Sequence, residues 1–76
     1  MEMALSRLEP RHWAVVTRMD MAGDLKKRLE DYGLVPGTRV ICRYRSPGGD
    51  VSAVEFRGAV IALRTRDLEA VRVRRG

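Results

Sequence analysis

Breaker residues cut most of this chain into apolar stretches too short for anything but strands and one modest helix. Gly33, Pro36-Gly37, Pro47-Gly48-Gly49-Asp50 and Gly58 punctuate the central part of the sequence. Between and after them lie segments in which apolar and polar side chains alternate, the period of a half-buried strand. Val40, Cys42 and Tyr44 alternate with Ile41, Arg43 and Arg45, and Val51 to Phe56 alternates likewise. Ala59 to Leu63 is nearly all apolar, and Val71 and Val73 alternate with Ala70, Arg72 and Arg74. Upstream, Trp13 to Met19 is rich in β-branched and aromatic residues with no breaker inside, and it reads as the first strand.

One stretch carries the helical period instead. Met21, Leu25, Leu29 and Tyr32 recur at that spacing and predict an amphipathic helix of about three turns, docked by a single stripe. Asp24 suits the first turn of that helix and stands four residues before Arg28, which predicts a pair between them. Gly33 is placed as the left-handed residue that stops the helix, with Leu34 as its hydrophobic contact. In Pro36-Gly37, proline presets one turn position and glycine accepts positive φ at the next, so a type II turn is expected. Gly58 permits a tight hairpin. Asp50 is expected to bond backbone N–H groups of its own loop, and Thr65 to start a single helical turn through Leu68.

The order is strand, helix, three strands, a helical turn and a closing strand. That predicts a mainly β fold with one helix after the first strand, a small partly open barrel whose closure hides sheet edges. The 76 residues suffice for one domain, 1–76, with no repeat, linker or low-complexity tract. A domain of this size buries only roughly 60% of the surface its unfolded chain exposes.

Cys42 is the only cysteine, so no internal disulfide forms and a reducing compartment is expected. Met1 to Arg7 lacks the apolar centre of a signal peptide, and no apolar run approaches the roughly 18–20 residues of a membrane span. The expectation is a cytoplasmic protein, membrane-associated only through a partner. The net charge of +5 favours acidic partners, but acidic residues are interspersed until the last few positions, which reads as a solvated surface.

Catalytic and metal chemistry find little to stand on. His12 is the only histidine, and a zinc site needs about four ligands, usually Cys or His. Cys42 shares the apolar face of its segment and reads as a small buried hydrophobe. A weak or intermolecular divalent site using His12 with Glu9, Asp20 or Asp24 stays open without positive support. No nucleophile has a recognisable base, no carboxylate pair stands out, and Pro47-Gly48-Gly49-Asp50 lacks the Lys-Ser/Thr of a phosphate loop. No enzyme and no intrinsic cofactor are expected.

Arg28-Leu29-Glu30-Asp31-Tyr32-Gly33-Leu34-Val35-Pro36-Gly37-Thr38 resembles the helix-to-strand signature of FeoA-domain proteins. Ser46-Pro47-Gly48-Gly49-Asp50 is similar to that family's proline-glycine-aspartate loop. Arg57-Gly58 followed by Ile61-Ala62-Leu63-Arg64 resembles its late hairpin, and Val71-Arg72-Val73 its last strand. The match runs from about Val15 to Val73. Two positions depart from the pattern: Arg11-His12 replaces a common glycine, and Leu68 follows Asp67 where alanine is common. The resemblance implies an SH3-like barrel, a role in ferrous iron uptake, and a membrane iron permease with a GTP-binding cytosolic domain as partner. Leu29, Gly33, Gly37, Asp50 and Gly58 then serve the fold. Leu34, Val35 and Pro36, with Arg64 nearby, are the expected partner contact, although Leu34 serves equally well as a core residue. Self-association through strand edges is a further expectation. The alternative is a small nucleic-acid-binding barrel using Arg64, Arg66, Arg72, Arg74 and Arg75, or a free-standing regulator related to the barrel domain of iron-dependent repressors. Against nucleic acid, Trp13, Tyr32, Tyr44 and Phe56 are expected to pack inside, leaving few stacking platforms.

Overall fold

The computed structural model describes all residues, 1–76. Its strands are β1 (Glu2–Ala4), β2 (Trp13–Met19), β3 (Arg39–Arg45), β4 (Val51–Phe56), β5 (Ala59–Arg64) and β6 (Val71–Arg75). One helix, α1 (Gly23–Tyr32), follows β2, and 3₁₀ turns occupy Leu5–Arg7 and Thr65–Leu68. The strands form one six-stranded sheet in the order β1-β6-β2-β3-β4-β5, every pair antiparallel. The sheet curls around its core but does not close; β1 and β5 are its two edges.

The sixth strand has no signal in the sequence. β1 is three residues long and exists because Glu2, Met3 and Ala4 pair with Arg74, Val73 and Arg72 of β6. The 3₁₀ turn after it sends Leu5 and Leu8 into the core, where both are fully buried. They join Val16, Leu29, Leu34, Val40, Val54, Phe56, Leu68, Val71 and Val73 in one continuous cluster.

Helix α1 ends as its sequence predicts. Gly33 sits at φ 98°, its N–H bonds Glu30 O at 2.9 Å, and the Leu34 N–H reaches Leu29 O at 2.9 Å. This paired closure needs a left-handed residue, which costs any other L-residue about 1–2 kcal/mol. The apolar stripe is narrower than predicted. Leu29 alone is fully buried, Leu25 and Met21 lean on the core from its rim, Met21 precedes the helix, and Tyr32 is exposed. Arg28 does not pair with Asp24; its guanidinium turns across to Asp67 at 3.7 Å.

Two bulges change which face residues occupy. The register shifts between Val16 and Arg18 in β2, and between Cys42 and Tyr44 in β3. An extra residue reverses the alternation beyond it. Cys42 is therefore buried as expected, but Tyr44 turns outward and is 56% exposed. β5, nearly all apolar in sequence, buries only Leu63, because Val60, Ala62 and Arg64 alternate onto the outer face of the sheet. The turn at Thr65 carries no side-chain cap; the Thr65 hydroxyl instead shares a 2.8 Å hydrogen bond with the Ser52 hydroxyl.

Candidate functional site

The Val35-Pro36-Gly37-Thr38 turn forms as the sequence requires. Thr38 N–H donates to Val35 O at 3.0 Å and Gly37 takes φ 92°. The Thr38 hydroxyl accepts the Val35 N–H at 3.3 Å and donates to Gly33 O at 3.0 Å, tying the turn to the helix end. Within this turn Leu34 is fully buried, Val35 is half-buried and Pro36 is exposed. Leu34 is thus a core residue, leaving Val35 and Pro36 as the accessible part of the expected contact. The arginine at the helix end is Arg57, whose Nε donates to Gly33 O at 3.1 Å and whose stem covers the glycine. Arg64 lies at the far end of β5, and neither groove it lines includes Val35 or Pro36.

Asp50 also differs from its expected role. Its backbone carbonyl accepts the Thr65 N–H at 2.8 Å, while the loop's side-chain bond comes from the Ser46 hydroxyl, which accepts the Val51 N–H at 3.1 Å. Serine at the first loop position does what aspartate at the last was expected to do. The Asp50 carboxylate is left facing a cleft.

Two depressions flank Arg64. The larger, about 720 Å³, brings Arg7, Arg64 and Arg66 together with Asp50 and Glu69. None of these three arginines forms an ion pair. Glu69 accepts a hydrogen bond from the Ser6 hydroxyl at 2.7 Å. Behind this cleft, Arg45 Nε donates to the Ser52 hydroxyl at 3.0 Å, which stiffens the floor under Thr65. The smaller groove, about 360 Å³, runs between α1 and β5 and is lined by Arg28, Tyr32, Ala62, Leu63, Arg64 and Asp67.

His12 lies between Arg75, whose Nη2 is 2.9 Å from Nδ1, and Glu9, whose carboxylate is 3.6 Å from Nε2. Asp20 accepts from Arg18 Nε at 2.9 and 2.8 Å through its two oxygens. That bond, followed by the charges of Asp20 and Glu2, raises the affinity of the Arg18 guanidinium for its proton. Nowhere do three or more His, Cys, Asp or Glu side chains converge as metal ligands.

Three of the four aromatic residues differ from their expected placement. Phe56 is buried, but Trp13, Tyr32 and Tyr44 are 38%, 44% and 56% exposed. Arg39 lies over the Trp13 ring, 4.1 Å from its centroid. The bulge in β3 accounts for Tyr44. Trp13 opens β2 on its outward face, as the inward burial of Ala14 and Val16 requires.

The FeoA domain model matches residues 3–75. The chain belongs to the FeoA family. Among solved structures, iron(II) transport protein A from Clostridium thermocellum aligns with a TM-score of 0.91 and 32% identity, over 96% of this chain and 45% of that one. The zinc complex of FeoA from Stenotrophomonas maltophilia, described as an SH3 domain protein, aligns at 0.81 and 31%, over 93% of this chain and 88% of the relative. IdeR from T. acidophilum aligns at 0.87 with 22% identity, over 99% of this chain and 34% of that one, a likeness of fold alone. The chain therefore spans less than half of the Clostridium chain and most of the Stenotrophomonas one. Among curated proteins none matches the chain in sequence. The FeoA match takes in β1 and the buried Leu5, which the resemblance read from Val15 onward leaves out.

Proposed function

We propose that this chain is a non-enzymatic accessory protein of ferrous iron uptake, which docks on the cytosolic domain of a membrane ferrous iron permease and modulates transport. Membership of the FeoA family carries this reading. The relative from Clostridium thermocellum is named an iron(II) transport protein, which supports iron as the cargo. No helix is long and apolar enough to cross a membrane. Val35 and Pro36 at the helix end and, separately, the arginine-lined cleft beside Arg64 offer apolar and polar contact surface of the kind small interfaces use. The reading needs no metal resident in the chain.

The test is a calorimetric titration of this protein into the purified cytosolic domain of its own organism's permease, with and without guanine nucleotide. The expected result is saturable binding at micromolar affinity, changed by nucleotide. Absence of binding in both nucleotide states overturns the proposal.

One observation favours a second reading, a nucleic-acid-binding barrel. Trp13 is exposed beneath Arg39, and strand register sets Arg39 and Arg74 on either side of Val15. An aromatic platform among cations is what single strands stack on. Titration with a fluorescent single-stranded oligonucleotide at two salt concentrations tests it. Binding that weakens with salt and is lost in Trp13→Ala supports this reading; no binding at low salt removes it.

A further inference from the structure

The β4–β5 hairpin determines which backbone groups of β5 are free. Its two-residue turn, Arg57-Gly58, closes on Phe56 and Ala59, so Phe56–Ala59, Val54–Ile61 and Ser52–Leu63 are the pairs that exchange hydrogen bonds. Val60, Ala62 and Arg64 therefore turn their N–H and C=O groups away from β4. Beyond β5 there is no further strand, and none of the turn or side-chain hydrogen bonds reaches Val60 or Ala62. What stands beyond is α1, held at its C-terminus by Arg57 on Gly33 and near its middle by Arg28 beside Asp67. Between helix and strand edge lies the groove lined by Arg28, Tyr32, Ala62 and Arg64.

We propose that this groove takes an extended acidic segment of a partner protein, which adds as a further strand to β5 while Arg28 and Arg64 hold its carboxylates. This deepens the adaptor reading by naming the docked element, and rests on that reading only for the identity of the partner. Backbone pairing to an exposed edge supplies sequence-independent affinity, and flanking side chains supply selectivity. Arg64 stands exposed on the outer face of β5, opposite the position an added strand would present. Arg28 is exposed and only 3.7 Å from Asp67, a loose pair that an incoming carboxylate can share or displace. Tyr32, 44% exposed on the helix side, offers a ring for the apolar stems of the segment.

Charge selects the occupant. The groove presents two guanidinium groups against one carboxylate, on a chain of net charge +5. A second copy of β5 fits less well: Ala59 to Arg64 holds no carboxylate, so pairing two such edges leaves the arginine of each copy without an acid. An acidic segment from another protein satisfies both the free backbone groups and the free charge.

The experiment uses the full chain and a synthetic peptide of alternating Val and Glu, with an alternating Val and Gln peptide as control. Binding is read by ¹⁵N chemical-shift titration and by amide hydrogen exchange. The expected result is saturable binding of the acidic peptide, slowed exchange at the Val60 and Ala62 amides, and affinity about three- to tenfold weaker for the neutral peptide. Ala62→Pro removes an edge N–H without touching the β4 pairing and is expected to abolish binding in a folded protein. Arg64→Gln is expected to erase the preference for the acidic peptide. Unchanged exchange at Val60 and Ala62, unimpaired binding by folded Ala62→Pro, equal affinity for both peptides, or no saturable binding at millimolar peptide each overturns the proposal. A concentration-dependent dimer in sedimentation, lost in Ala62→Pro, overturns it in favour of a second copy. If the permease domain binds wild type and Ala62→Pro equally, the groove proposal fails and the adaptor reading stands. If the peptide binds as expected and the permease domain does not bind at all, the reverse holds.

Discussion

The two edges of the sheet are built on opposite plans. β1 has three residues, runs straight into a 3₁₀ turn, buries Ala4, and ties Glu2 to Arg18 at 2.9 Å. β5 has six residues in unbroken register, exposes Val60 and Ala62, and carries no charge before Arg64. Short length and charge are the usual ways of blunting an edge. β1 uses both, whereas β5 is twice as long and charged only at its last residue, Arg64; it is screened by a helix with a single fully buried side chain. A longer, mostly apolar edge with a groove beside it is suited to contact, whereas β1 is finished as structure.

The largest expected effect comes from removing the helix's anchor. Leu29→Ala deletes the one fully buried side chain of α1 and should lower stability by about 2–5 kcal/mol in urea unfolding. Amide exchange should then accelerate through α1 before it does in β1. Simultaneous opening of both would show that the two edges belong to one cooperative unit and break the comparison.

A charge placed on each edge sharpens it. Met3 is half-buried against the core, so Met3→Lys should cost about 1–3 kcal/mol. Val60 is 59% exposed, so Val60→Lys should change stability by no more than about 0.5 kcal/mol. Equal losses in thermal unfolding would contradict the difference in burial on which the comparison stands.

The smallest effect is one of pH. Asp20 and Glu2 raise the proton affinity of Arg18 in the folded state. A group whose folded pKa is raised contributes its stability in full below its unfolded pKa and loses it only as pH rises through the folded value. For arginine that window lies above the range in which proteins are handled. The stability difference between wild type and Asp20→Asn should therefore be small and the same at pH 7 and pH 10. A difference that shrinks over that interval would mean another group holds the Arg18 end of β1.

Much of the fold was readable because its signals are local. The bounds of β2, β4 and the second 3₁₀ turn, the glycine-terminated helix and the type II turn at Pro36-Gly37 all follow from residues within a few positions of one another. The candidate site was less readable. Leu34, for which contact and core burial are equal expectations, is buried, because the closure at Gly33 folds it back under the helix. Arg64 is expected beside it, but strand β5 carries Arg64 to the other end, and Arg57 takes the place at the helix terminus. Period alone predicts Tyr44 and Tyr32 inside; a bulge turns one out, and the helix stripe is too narrow to reach the other.

Where the strands and the helix begin and stop follows from sequence, because backbone sterics at glycine and proline and side-chain alternation act over a single turn or strand. So does the family, whose motif is made of those same local features. The existence of β1, the choice of apolar residues that are covered, and the arginines that meet at a groove emerge from long-range pairing alone. Those outcomes depend on pairings such as Glu2 with Arg74 and contacts such as Arg28 with Asp67, far apart along the chain. Burial and charge proximity are properties of three-dimensional neighbours, and no local period encodes them.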